Sequence, residues 1–85
     1  MKIEIYYCAA WEFKEIAAGL AQELHRKFHV TPQLVPGDNG IFDVIIDGEC
    51  VFSRAETGRF PRPGEIVVKR GVWRRWFVNS MSNAL

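Results

Sequence analysis

The sequence predicts an α/β fold of order β-α-β-β-β-α, with a four-stranded mixed sheet and both helices on one face. Three observations carry this reading. Lys2 to Tyr7 alternates polar and apolar residues, Glu12 to Phe28 changes to a helical period, and Asp47-Gly48 divides two short β-rich runs. A chain of 85 residues has room for one core, so a single domain over 1–85 is expected.

In the first strand Ile3, Ile5 and Tyr7 share one face, and Lys2, Glu4 and Tyr6 the other. In the helix Phe13, Ile16, Ala17, Leu20, Ala21, Leu24 and Phe28 lie on one side. Lys14, Glu15, Gln22, Glu23, Arg26 and Lys27 take the opposite side. Val30 to Pro36 contains two prolines, which have no N–H for a sheet ladder, so it is expected as a short edge strand at best. Gly37-Asp38-Asn39-Gly40 is a turn cluster. Ile41 to Ile46 is rich in β-branched residues, and the Asp47-Gly48 hairpin returns it as Glu49 to Arg54. Ala55 to Gly64, with Pro61 and Pro63, is expected as a loop.

From Glu65 to about Val78 a second helix is expected. Ile66, Val68, Val72, Trp73, Trp76 and Phe77 share a broad side, Arg70, Arg74 and Arg75 the other, and Pro63 and Glu65 suit its start. Gly71 and the valines of this stretch also suit a hairpin turning at Lys69-Arg70-Gly71. Asn79 to Leu85 is expected as a frayed tail.

A strand–helix–strand unit crosses over right-handed and leaves its strands parallel. Adding the hairpin beside the first strand, with its leading strand antiparallel to it, gives the minimal thioredoxin-like arrangement. Phe42, Val44 and Ile46 then join Ile3, Ile5 and Tyr7 in the core. Tyr6, Ile41 and Ile45 turn to the helix-free face among Lys2, Glu4 and Asp43. Such a face supports weak self-association, so a monomer or weak homodimer is expected.

Composition narrows the function classes. With 48% apolar and 25% charged residues and a net charge of +1, nothing requires a polyanionic partner. No apolar run approaches the roughly 20 residues of a membrane span. Met1-Lys2 leads directly into the alternating strand, which is unlike a signal peptide. Two cysteines are too few for a disulfide scaffold, so a reducing, cytoplasmic setting is expected.

Lys69, Arg70, Arg74 and Arg75 near Trp73 and Trp76 superficially suggest nucleic acid or a membrane surface. Arginines and tryptophans fall mostly on different helix sides, as in a core-packed helix, so neither partner is expected. His25 and His29 have the spacing of paired zinc ligands but sit at the helix end remote from Cys8, some 25 Å away. No metal is expected. The Gly37–Gly40 turn lacks the lysine, serine and following helix of a phosphate loop.

The stretch of most chemical interest is Tyr6-Tyr7-Cys8-Ala9-Ala10-Trp11-Glu12-Phe13, where a strand gives way to a helix. Together with the amphipathic helix, Gly37-Asp38-Asn39-Gly40-Ile41-Phe42-Asp43-Val44, the Asp47-Gly48 hairpin, Ser53-Arg54 and Phe60-Pro61, it resembles the selenoprotein W family of Rdx-type thioredoxin-like proteins. Bacterial members of that family carry Cys-x-x-Cys in place of Cys-x-x-selenocysteine. The resemblance runs from Lys2 to about Trp76. It implies a reduced thioredoxin-like fold and thiol redox chemistry, with glutathione or a thiol-containing protein as partner and no resident cofactor. Cys8 matches the first motif cysteine, Trp11 takes the place of the second, and Asn39 stands where members often have a further glycine.

A thiol exchanges disulfides as its thiolate, and a strand-to-helix turn places Cys8 near the free N–H groups and positive end of the following helix. Ala9 and Ala10 leave space around the sulfur. An indole cannot resolve a mixed disulfide, so the intramolecular dithiol cycle is impossible and Cys8 would act alone. Cys50 is expected at the opposite end of the sheet as a packing residue. Two strand spacings, roughly 10 Å, already exceed the limit of about 7 Å between bridged Cα atoms. The Gly37–Gly40 loop should lie beside Cys8, giving a binding groove of Ala9, Ala10, Trp11, Asn39, Gly40 and Ile41. Two functions follow: a monothiol redox protein acting through Cys8, or a redox-inactive interaction module keeping the fold.

Overall fold

Alternation at the amino end becomes the inner strand of the sheet in the computed structural model, which describes residues 1–69. The elements are β1 (Ile3–Cys8), α1 (Lys14–Phe28), β2 (Gln33–Gly37), β3 (Phe42–Ile46), β4 (Glu49–Ser53) and a short α2 (Arg54–Thr57). Residues 65–69 are helical again. The strand order is β2-β1-β3-β4. β1 runs parallel to β2 and antiparallel to β3, so the sheet is mixed. Pro36 stands opposite Tyr7 on the edge strand, where a missing N–H interrupts no inner ladder.

The predicted inward set is the observed core. Ile3, Ile5, Tyr7, Phe42, Val44 and Ile46 pack with Phe52 from β4, Ala17, Leu20 and Leu24 from α1, and Ile66. Because Ile66 joins the same cluster as α1, the two helical stretches cover one face of the sheet. Tyr6, Ile41 and Ile45 are half-buried instead. Asp47 and Gly48 have φ of 51° and 82°, the paired positive values that a two-residue hairpin needs to match strand twist.

Four expectations are corrected. The loop expected from Ala55 contains α2, and Arg54, expected to end β4, begins it. Thr57 Oγ1 donates to the Ser53 carbonyl at 2.9 Å, and Gly58 closes the turn at φ 73°. One helical turn is too short to show a period in sequence. Secondly, α1 begins at Lys14 because Glu12 sits at φ 62° and the chain first makes a turn over residues 9–13. Thirdly, Ile16 and Val68, placed on apolar faces, are 40% and 62% exposed. Finally Cys50, expected as a packing residue, is exposed; a register shift between Val44 and Ile45 lies beside its pairing with Ile45. The remainder of the predicted second helix, the alternative hairpin at Lys69-Arg70-Gly71, the arginine and tryptophan pattern and the tail 79–85 lie outside the described residues.

Candidate functional site

Cys8 is the last residue of β1, and two turns close over it. Its N–H donates to the Ile41 carbonyl at 2.9 Å, and its own carbonyl accepts from Phe13 N–H at 3.3 Å. Ala9 N–H donates to the Gly37 carbonyl and Glu12 N–H to the Ala9 carbonyl, both at 3.3 Å. The turn after β1 is thereby stitched to the turn before β3. In that second turn Ile41 N–H donates to the Asp38 carbonyl at 3.2 Å, with Asn39 at φ 58° and Gly40 at φ 74° between them. Asparagine tolerates this left-handed conformation better than most residues with a side chain.

Gly40 has a second reason to lack a side chain. A Cβ there would lie 2.5 Å from Trp11 Cζ3 and 2.9 Å from Cε3, so the six-membered ring of the indole seats directly on the glycine backbone. Trp11 is nevertheless 55% exposed, while Cys8 is wholly enclosed at 0%. Cys8 meets Ile41 and Trp11 meets Gly40 directly; Ala9 is tied to Gly37, and Ala9, Ala10 and Asn39 are exposed members of the same two turns. Cys8 is bonded to the start of the helix through Phe13, the N-cap residue of α1. The turn 9–13 lies between Cys8 and α1 in the chain, and Phe13 N–H meets the Cys8 carbonyl across it.

The other sulfur is remote in register. Cys50 pairs with Ile45, which faces Glu4, whereas Cys8 faces Gly37 at the other end of β1. Cys50 Sγ donates to the Phe52 carbonyl at 3.3 Å. Partial burial of the sulfur, followed by the Asp43 carboxylate, pushes its thiol above the ordinary value, so it ionises less readily than a free cysteine.

Beside the two turns lies an aromatic layer that no sequence period announces. Trp11 meets Phe13 edge-to-face at 5.9 Å between centroids; Phe13 meets Phe60 at 4.7 Å, and Phe60 meets Phe42 at 5.2 Å. The Arg54 guanidinium lies over both Phe13 and Phe60, 5.3 Å from each centroid. The signals were present in Ser53-Arg54 and Phe60-Pro61, but their meeting with Phe13 depends on α2, which has no sequence period. His25 and His29 are both exposed at the end of α1. Among the described residues no group of three or more potential ligands could hold a metal ion, and no helix is long and apolar enough to cross a membrane.

With this geometry established, comparison with known proteins is decisive at one level. The model of the Rdx family matches residues 2–69. The chain belongs to the Rdx family. Among solved structures it is similar to a protein from Bordetella parapertussis, at 31% identity and a TM-score of 0.75, covering 80% of this chain and 90% of that one. It is likewise similar to a selenoprotein W-related protein from Vibrio cholerae, at 30% identity and a TM-score of 0.75, covering 80% and 89%. A comparison with curated proteins gives no significant match. The Rdx chain thus has the thioredoxin-like fold that its element order predicts, while its Cys8-Ala9-Ala10-Trp11 segment offers one sulfur at the turn.

Proposed function

We propose that this Rdx protein is an interaction module whose binding surface is centred on Trp11. The observation that carries the proposal is the exchange of exposure within the motif: the sulfur of Cys8 is enclosed, and the indole of Trp11 stands in solvent. A large aromatic ring on a glycine seat, braced by Phe13, is the kind of rigid apolar anchor that concentrates binding energy at protein interfaces. Two unpaired thiols suit a reducing, cytoplasmic setting.

A second reading has its own supporting observation. Three of the backbone hydrogen bonds that hold the turn over Cys8 measure 3.3 Å, against 2.9 Å for the strand-end bond from Cys8 itself. Glu12 in that turn holds a left-handed conformation unusual for its side chain. A turn of this kind opens more readily than the strand beneath it. On opening, the Cys8 thiolate would attack one sulfur of glutathione disulfide. The new Cys8–glutathione disulfide forms, glutathione thiolate leaves, and a second thiol later restores Cys8.

Alkylation of Cys8 by iodoacetamide in a Cys50→Ser background separates the two. The interaction reading expects modification slower than that of the same cysteine in denaturant, and no mixed disulfide by mass spectrometry after incubation with glutathione disulfide. Rapid alkylation near neutral pH, or a glutathione adduct on Cys8, would establish the monothiol reading instead.

A further inference from the structure

We infer that Arg54 is a carboxylate anchor, and that the partner docking at Trp11 presents an acidic residue beside an apolar one. The inference rests on the interaction reading of this surface and specifies the chemistry of its partner.

The argument begins with two arginines close in sequence and opposite in circumstance. Arg59 meets Glu65 through both fork nitrogens, at 2.8 and 2.9 Å, so its counter-ion is supplied by the chain. The Arg54 guanidinium makes no hydrogen bond or ion pair among the described residues. Its Nε is buried without a hydrogen-bond partner. The side chain as a whole is half-buried, so its fork is reachable.

A guanidinium in that position is costly unless something answers it. Removing donors from water without replacement is unfavourable, and the ring faces of Phe13 and Phe60 compensate the charge but not the directional N–H groups. The two phenyl rings meet at 87°, which gives the planar cation a fixed corner rather than one face to slide on. A planar fork held in one orientation is prepared for the two parallel hydrogen bonds of a carboxylate. Phe13 also touches Trp11, so the fixed cation and the exposed indole belong to one continuous aromatic layer. An acidic side chain next to an apolar one would satisfy both.

The test is an NMR titration of the full chain, following the Trp11 indole N–H and the Arg54 side-chain resonances. One probe is a capped peptide alternating glutamate and leucine; its control has glutamine for glutamate. Saturable shifts with the acidic peptide alone, weakened roughly tenfold or more by Arg54→Gln and left unchanged by Arg26→Gln on α1, are expected. Arg54→Lys should recover only part of the loss, since an ammonium has no planar fork. Equal binding of the glutamine peptide, or equal loss in Arg26→Gln, would overturn the anchor. S-methylglutathione, which carries carboxylates but no exchangeable thiol, is the third probe. Binding of it alone would also overturn the acidic-segment proposal. None of these probes reacts with Cys8, so their failure is separable from the outcome of the alkylation experiment.

Discussion

At the scale of residues, the contact between Trp11 and Gly40 makes the sharpest stability prediction. Gly40→Ala adds a methyl group at a backbone with φ 74° and drives it into the indole. The left-handed conformation alone should cost about 1 kcal/mol, and displacement of Trp11 roughly as much again. In a Trp11→Ala background only the conformational part remains, so chemical denaturation of the cycle should show non-additivity. Additive losses would mean that the indole does not rest on Gly40. A second residue-scale prediction concerns Glu65. Its carboxyl is held down from 4.5 to about 2 by the Arg59 fork and then by Arg62 N–H. A depressed carboxyl contributes stability that is complete above its unfolded value and is lost as pH falls through the folded one. Wild type should therefore lose stability relative to Glu65→Gln between about pH 4.5 and pH 2, and the difference should level off below pH 2. A constant difference across that window would exclude the linkage. Trp11 itself predicts little turnover in insulin reduction with either a thioredoxin-type or a glutathione-type reducing system, because no second sulfur stands beside Cys8.

At the scale of elements, residues 65–69 are tied to the sheet by Ile66, which is fully buried in the common core. Ile66→Ala should cost about 2–5 kcal/mol, as other large-to-small changes at enclosed sites do. Val68→Ala, two residues further along and 62% exposed, should change stability by under about 0.5 kcal/mol. If the two substitutions were equally mild in thermal unfolding, this helical stretch would not be part of the core. The contrast between these neighbours also shows what the sequence discloses. Alternation in β1 and β3 is legible because period-two burial is a property of each strand alone, and Asp47-Gly48 is legible because few residues accept two positive φ values in succession. The exposure of Ile16, Val68 and Cys50 is not legible because it depends on neighbours: the extent of the helix packing, or a register shift one strand away. The start of α1 is hidden by Glu12, whose left-handed φ is imposed by the turn and not announced by its side chain. At the candidate site, the meeting of the two turns followed from strand order. The Arg54 corner did not, since it required α2 to bring Arg54 and Phe60 onto Phe13.

At the scale of the whole molecule, the sheet directs how copies can meet. Its edges are unsuited to pairing with another strand. β2 carries Pro36, and at β4 the Val51 carbonyl is occupied by Lys69 Nζ at 3.1 Å, next to a register irregularity in its ladder. The face opposite α1, free of helix among the described residues, remains. Tyr6 sits between Val35 and Asp43, and Glu4 lies beside Ile45, so half-buried apolar residues alternate with acids. Tyr6 O–H donates to Glu4 Oε2 at 3.3 Å, which leaves that carboxylate in place when the face is covered. A two-fold contact through this face would gather Glu4 and Asp43 from both copies, and like charges brought together in a drying interface oppose association. The expected outcome in sedimentation equilibrium is therefore a monomer at low concentration and a weak dimer at high concentration. Association should strengthen as salt screens the acids, the reverse of an interface held by opposite charges. Ile45→Lys should abolish the dimer, by placing an ammonium in the apolar part of the contact. A dimer whose dissociation constant is unaffected by Ile45→Lys would lie on another surface, and one that weakens with salt would have a different electrostatic basis.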